Sequence, residues 1–172
     1  MSGINGVSHI ALNTADMGRF RRFYEGVLGL RMGVTAVLDH PPHLRHATFH
    51  VTDGLVLHVF EVPGYDPAAQ GIGTDIGERG RVDHFGLNVP DEAALREVAE
   101  RLRAAGATDG EVRHLGPTLS VHVTDPDGLQ LEVTCPDLEW DPDDPTGERF
   151  EEVGLPDWLP RMRAAALVGP HP

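Results

Sequence analysis

A single cysteine, Cys135, stands in a chain of 172 residues. A lone thiol closes no disulfide within its own chain and cannot build a cysteine-based zinc site. Basic residues are also scarce: 14 Lys and Arg face 27 Asp and Glu, a formal net charge of −13. A surface of that sign repels phosphate backbones, which argues against nucleic acid as a partner. Much of the excess is local, since 137–152 holds eight acids and one Arg. Aromatics make up only 6% of the chain, leaving two Trp and two Tyr to stack on a planar ligand. No apolar run approaches the roughly 20 residues that a membrane span needs. The opening MSGINGVSHIAL has no basic segment followed by an apolar signal core. With 40% hydrophobic and 24% charged residues, the expectation is a cytoplasmic globular protein with no nucleic-acid or membrane partner.

Histidine, in contrast, is abundant, with ten in the chain. Their arrangement follows an internal repeat. VSHIAL (Val7 to Leu12) is echoed by VDHFGL (Val82 to Leu87), and FHVTDGLVLH (Phe49 to His58) by VHVTDPDGLQLE (Val121 to Glu132), the second turn being two residues longer. The chain therefore carries two copies of a unit of about 55 residues, each too small to bury a core well alone. The first copy, 7–62, reads as a strand over 7–13 and then a helix. Thr14 or Asp16 is the candidate cap, Phe20, Phe23, Tyr24 and Val27 form an apolar stripe, and Gly29 is the stop. Strands follow over 30–38, 45–52 and 55–62. The second copy, 81–135, reads as a strand over 81–89, then a helix entered at Pro90-Asp91 and bearing Leu95, Val98, Ala99 and Leu102. Gly106 ends that helix, and strands over 107–114, 119–124 and 129–134 complete the unit. Each unit is βαβββ, and the fold class is α+β, with 1–135 as one domain. The glycine-bearing stretch 63–80 is the linker. The tail, 136–172, is acidic and Pro-rich, with a short helix expected over 157–167; it either packs against the domain or a second subunit, or covers the site as a lid.

The repeat shows which polar groups recur. His9 and His84 are equivalent on the first strands, and His58 matches Glu132 on the fourth. Strand side chains alternate faces, so Leu55, Leu57 and Val59, like Leu129, Leu131 and Val133, form the helix-packing face. His9, His58, His84 and Glu132 project from the other face, which is concave if the two units pair. Neutral imidazoles with a carboxylate suit one divalent ion, Fe, Ni, Co, Zn or Mn. His46, Thr48 and His50 alternate along the third strand, and by alignment His50 matches His122. Both are candidate proton carriers, or partners that orient ligands. His40 and His43 flank Pro41-Pro42 in a loop at the rim. Arg113 is a candidate for a substrate carboxylate, and Cys135 reads as a small buried residue at a strand end.

HIAL with FYEGVLGL (Phe23 to Leu30), then HFGLNV and TDPDGLQLEV, resembles the vicinal oxygen chelate superfamily over residues 7–135. That superfamily includes glyoxalase I, methylmalonyl-CoA epimerase, extradiol dioxygenases, and the bleomycin and fosfomycin resistance proteins. The resemblance implies a cup-shaped sheet from two modules, with ligands at His9, His58, His84 and Glu132. It also implies a small-molecule substrate and a homodimer, with modules paired within or across chains. Three functions follow. The first is a non-redox lyase or isomerase of glyoxalase or epimerase type acting on vicinal oxygens, with Glu132 as ligand and base. His58 supplies its fourth ligand where those families commonly carry Glu or Gln. The second is an extradiol-type Fe(II) dioxygenase using His9, His84 and Glu132. HLGPTLSVHVTDPDG is similar to that family's second-module signature, with His114 near a family histidine and His122 where a substrate-contacting Tyr is usual. Gly54 falls where that family has a catalytic histidine, and His58 must stand off the metal. The third is a metal-free drug-binding protein, which the acidic surface permits.

Overall fold

The computed structural model describes residues 3–73, 79, 82–115 and 117–139. The repeat appears as two successive βαβββ units. The first comprises β1 (His9–Thr14), α1 (Met17–Tyr24), β2 (Arg31–Val37), β3 (Arg45–Thr52) and β4 (Leu55–Glu61). After a 3-10 turn at Ala68–Gln70 come β5 (Phe85–Asn88), α2 (Glu92–Ala104), β6 (Arg113–Leu115), β7 (Thr118–Thr124) and β8 (Gln130–Pro136). Among the described residues the strands form two four-stranded sheets, ordered β1-β4-β3-β2 and β5-β8-β7-β6. In each, the first strand runs parallel to the fourth and the other pairs are antiparallel. β1 and β5 are both edge strands. The chain divides into two units, Met1–Trp140 and Asp141–Pro172. The second lies outside the described residues, and so does the helix expected over 157–167.

Local chemistry sets the element ends. Asp16, not Thr14, caps α1, its Oδ1 accepting the Arg19 N–H at 2.9 Å. Asp91 does the same for α2 through the Ala94 N–H, also at 2.9 Å. The strand expected over 107–114 shortens to Arg113–Leu115. Ahead of it, the Thr108 hydroxyl accepts the Gly110 N–H and the Asp109 carboxylate accepts the Glu111 N–H. These local bonds compete with a ladder. Gly110 adopts a φ of +82°, and an added Cβ there would lie 2.9 Å from the Arg103 side chain.

The two helices and the inner sheet faces share one core. Phe20, Phe23 and Tyr24 of α1 and Leu95, Val98, Ala99 and Leu102 of α2 meet Phe49, Leu57, Val59, Val121, Leu131 and Val133. Phe20 stacks on Tyr24 at 4.0 Å and tilts against Phe49 at 5.1 Å. Cys135 is fully buried in the same cluster. Sharing a core resolves the problem that each unit is too small to fold well alone.

The longer β7–β8 turn, Asp125 to Gly128, joins the modules. Asp125 Oδ1 accepts the Asp127 and Leu129 N–H groups, both at 2.8 Å, and its Oδ2 accepts the Tyr24 hydroxyl at 2.9 Å. Asp127 reaches the start of α1. It accepts the Thr14 hydroxyl at 2.6 Å and the Ala15 N–H at 3.1 Å, and pairs with Arg19 at 2.6 Å. Burial raises the Asp125 pKa despite its hydrogen bonds. A group raised by folding contributes stability that is present below the unfolded carboxylate value and is lost as pH rises through the folded value. Asp125→Asn, which keeps an acceptor oxygen and removes the charge, is therefore expected to flatten the fall in stability above pH of about 4. Urea unfolding at pH 4, 5, 6 and 7 measures this, and an unchanged pH slope contradicts it.

Candidate metal centre

Each sheet has one face in the core and one polar face, and strand register assigns the side chains. On the first sheet His9 lies opposite Val56, Ala11 and Thr48 flank His58, His46 lies opposite Phe60, and His50 lies opposite Val56. All belong to one face, because directly paired residues point the same way. On the second sheet Glu132 lies between Gly86 and His122, with Thr124 opposite Gln130. His84 immediately precedes β5.

In the first half of the site, the His9 and His58 rings sit edge to face, centroids 6.1 Å apart. His58 Nε2 lies 3.0 Å from His46 Nδ1, and its ring leans on Phe60 at 4.8 Å. Burial, aided by His46 and His9, lowers the His58 pKa from the usual imidazole value. This favours the neutral form that coordinates metal. In the second half, Glu132 Oε1 lies 3.1 Å from His122 Nε2 and 3.5 Å from His84 Nε2. His84 Nδ1 lies 2.7 Å from Asp83 Oδ2, which also accepts from Arg79 at 2.9 Å. A small cleft of about 40 Å³ is lined by Arg79, His84, His122, Gln130, Leu131 and Glu132.

The donor types of His9, His58, His84 and Glu132 suit a divalent ion. Among the described residues no group of three or more His, Cys, Asp or Glu is placed to hold a metal. The four predicted ligands fall into two pairs, His9 with His58 and His84 with Glu132, on separate sheets.

Alignment of the repeats pairs His50 with His122, but the fold does not. His122 faces Glu132, whereas the residue facing His58 is Thr48. The longer turn of the second module, together with the register shift between His50 and Thr52 in the first, brings His122 rather than the aligned counterpart of Thr48 to the carboxylate. Other histidines lie elsewhere. His114 shares the core side of its sheet with Leu119, away from Glu132, and binds Asp137 at 2.7 Å. His40 and His43 occupy an exposed loop, bonded to nearby carbonyls. Arg113 pairs with Asp109 and Glu111, each within 2.8 Å, so its charge is already balanced. Two larger clefts, about 510 Å³ beside the start of α2 and about 660 Å³ between 5–8 and 52–55, are lined by none of the four ligands. Ser8, Arg79 and Asp83 were missed by the sequence reading. A polar residue directly before both VSHIAL and VDHFGL histidines was the available signal.

Comparison with known proteins agrees with this architecture. A protein described as "Putative ring-cleaving dioxygenase MhqA" from Bacillus subtilis (strain 168) is 26% identical over 135 residues. The alignment covers 77% of this chain but only 40% of that relative's length. A glyoxylase/bleomycin resistance protein/dioxygenase domain from Frankia sp. EAN1pec superposes with a TM-score of 0.63 at 26% identity, covering 78% of this chain and all of that one. The fosfomycin resistance protein FosX from Listeria monocytogenes shares the fold, with a TM-score of 0.55 at 22% identity over 79% of this chain and 97% of its own. No helix among the described residues is long and apolar enough to cross a membrane. With two βαβββ modules, and with residues 6–133 matching the family model described as Glyoxalase/Bleomycin resistance protein/Dioxygenase superfamily, the chain belongs to that superfamily.

Proposed function

We propose that the protein is a divalent-metal-dependent enzyme, of lyase or isomerase type, that moves a proton on a small cytoplasmic substrate bearing vicinal oxygens. The observation that carries this reading is the 3.1 Å contact between His122 Nε2 and Glu132 Oε1. A carboxylate in hydrogen-bond reach of an imidazole is a pair suited to taking and passing a proton. His9, His58, His84 and Glu132 would hold the ion, which supplies Lewis-acid polarisation of the substrate oxygens. In this reading Glu132, with a side chain 18% exposed, accepts the proton beside the substrate carbonyl and His122 relays it. His50, on the polar face of the other sheet, is the second proton carrier.

The two half-sites require a second copy in this reading. A homodimer that brings the β1 edge of one chain to the β5 edge of another would join His9 and His58 to His84 and Glu132. Edge strands carry unpaired backbone groups and are natural positions for such pairing.

Two observations favour a second reading, a ring-cleaving dioxygenase. One is the name of the Bacillus relative. The other is the His46 bond to His58 Nε2, which holds that nitrogen away from a metal and leaves His9, His84 and Glu132 as the ligand face. The readings separate on His122→Ala. Proton NMR in heavy water, with Co(II)-loaded protein and a panel of α-hydroxy and α-oxo carbonyl compounds, should show solvent exchange beside the carbonyl. The variant should lose about 10²–10⁴-fold of that rate while keeping its metal. Oxygen uptake on catechols without any such exchange would establish the dioxygenase instead.

A further inference from the structure

The residue ahead of each first-strand histidine touches that histidine's ring, but the two residues differ in what they permit. Ser8 Oγ lies 2.9 Å from His9 Nδ1. A hydroxyl both donates and accepts, so His9 remains free to carry its proton on either nitrogen. Asp83 Oδ2 lies 2.7 Å from His84 Nδ1. An ionised carboxylate only accepts, so at this distance His84 Nδ1 must carry the proton and donate it. The Arg79 guanidinium donates to the same oxygen at 2.9 Å and helps to hold the carboxylate. In the neutral ring, with Nδ1 committed, Nε2 is the nitrogen with the lone pair, and it is the one that faces Glu132 Oε1, 3.5 Å away.

We infer that Asp83 is a positioning residue that locks His84 in the Nδ1–H tautomer and presents Nε2 as the metal-facing donor, while Ser8 leaves His9 adaptable. The functional meaning of this lock rests on the metal-binding reading above; the tautomer itself does not. A carboxylate behind a ligating imidazole orients the ring and increases its donor strength. The repeat is thus chemically asymmetric: His84 is the anchoring ligand and His9 the one that adjusts.

Two measurements test it. Long-range proton–nitrogen correlation spectra of the metal-free protein report which ring nitrogen of each histidine is protonated. Wild-type His84 is expected in the Nδ1–H form. Asp83→Asn keeps an acceptor oxygen and should retain that form, whereas Asp83→Ala should release the ring to Nε2–H. Calorimetric titration with Co(II) then reads the consequence. Asp83→Ala should weaken binding by about 10–100-fold, Asp83→Asn by less, and Ser8→Ala least of the three. Wild-type His84 in the Nε2–H form, or an Asp83→Ala spectrum identical to wild type, overturns the lock. A locked tautomer together with unchanged Co(II) affinity in Asp83→Ala overturns the metal-facing role. Absence of Co(II) binding by the wild type itself would count against the metal reading while leaving the tautomer result standing.

Discussion

Glu132→Gln should cut turnover by about 10²–10⁴-fold, the range associated with loss of a positioned acid–base group. The amide keeps an oxygen at the position of Oε1, so it still meets His122 and still offers a weak ligand, but it cannot take a proton. Metal content should therefore survive at reduced affinity while activity collapses. Glu132→Ala removes ligand, base and the His122 partner together, and both metal and activity should be lost. The contrast separates chemistry from structure: on its sheet face Glu132 is flanked by Gly86 and His122. Full activity in Glu132→Gln would remove this residue from the proton-transfer role. Both variants are measured by initial rates alongside metal analysis on the same preparations.

Asp127→Ala should lower the stability of the fold substantially. Its side chain is 5% exposed and binds three groups of the first module: the Thr14 hydroxyl, the Ala15 N–H and the Arg19 guanidinium. Thr14 is fully buried, and without the carboxylate its hydroxyl keeps only the longer 3.2 Å bond to the Asp16 carbonyl, while the Ala15 N–H loses its acceptor. Leaving buried polar groups unpaired costs about 1–3 kcal/mol each, and the whole change is expected at about 2–4 kcal/mol. For a chain of this length that corresponds to a fall of about 5–15 °C in Tm. Arg19→Ala provides the comparison. That side chain is 43% exposed, so solvent screens the ion pair and its removal should cost less than about 1 kcal/mol. Thermal and urea unfolding of the two variants measures the difference. Equal, small effects would show that the turn does not hold the modules together.

These two residues also show where the amino-acid sequence is informative and where it stops. The repeat of VSHIAL in VDHFGL, and the alternation in DGLVLH and DGLQLE, were enough to find both βαβββ units and their core faces. They also placed His9, His58, His84 and Glu132 on the polar faces. Alternation reports the face of a strand and nothing about the distance between two sheets. That distance is set by how the modules share the core and by contacts between them, such as Tyr24 on Asp125. The division of the ligands into two pairs was therefore out of reach. The two extra residues in TDPDG were visible as an insertion, but their effects were not. They form the turn that grips α1, and together with the register shift between His50 and Thr52 they bring His122, rather than the counterpart of Thr48, to Glu132. The shortened β6 was hidden for another reason. Thr108 and Asp109 capture backbone N–H groups locally, and a propensity reading over 107–114 does not register that competition.

In the proposed dimer one metal site is built from two copies of the chain, His9 and His58 from one and His84 and Glu132 from the other. Mixed dimers test it directly. His9→Ala and His84→Ala chains, each incapable of binding alone, are co-expressed with different affinity tags, purified as the heterodimer and examined by native mass spectrometry with Co(II). Shared sites place both substitutions in one of the two centres and leave the other intact, so the mixed dimer should bind one ion while either homodimer binds none. A mixed dimer that binds none would mean that each chain builds its centre from its own two modules, and would overturn the shared site.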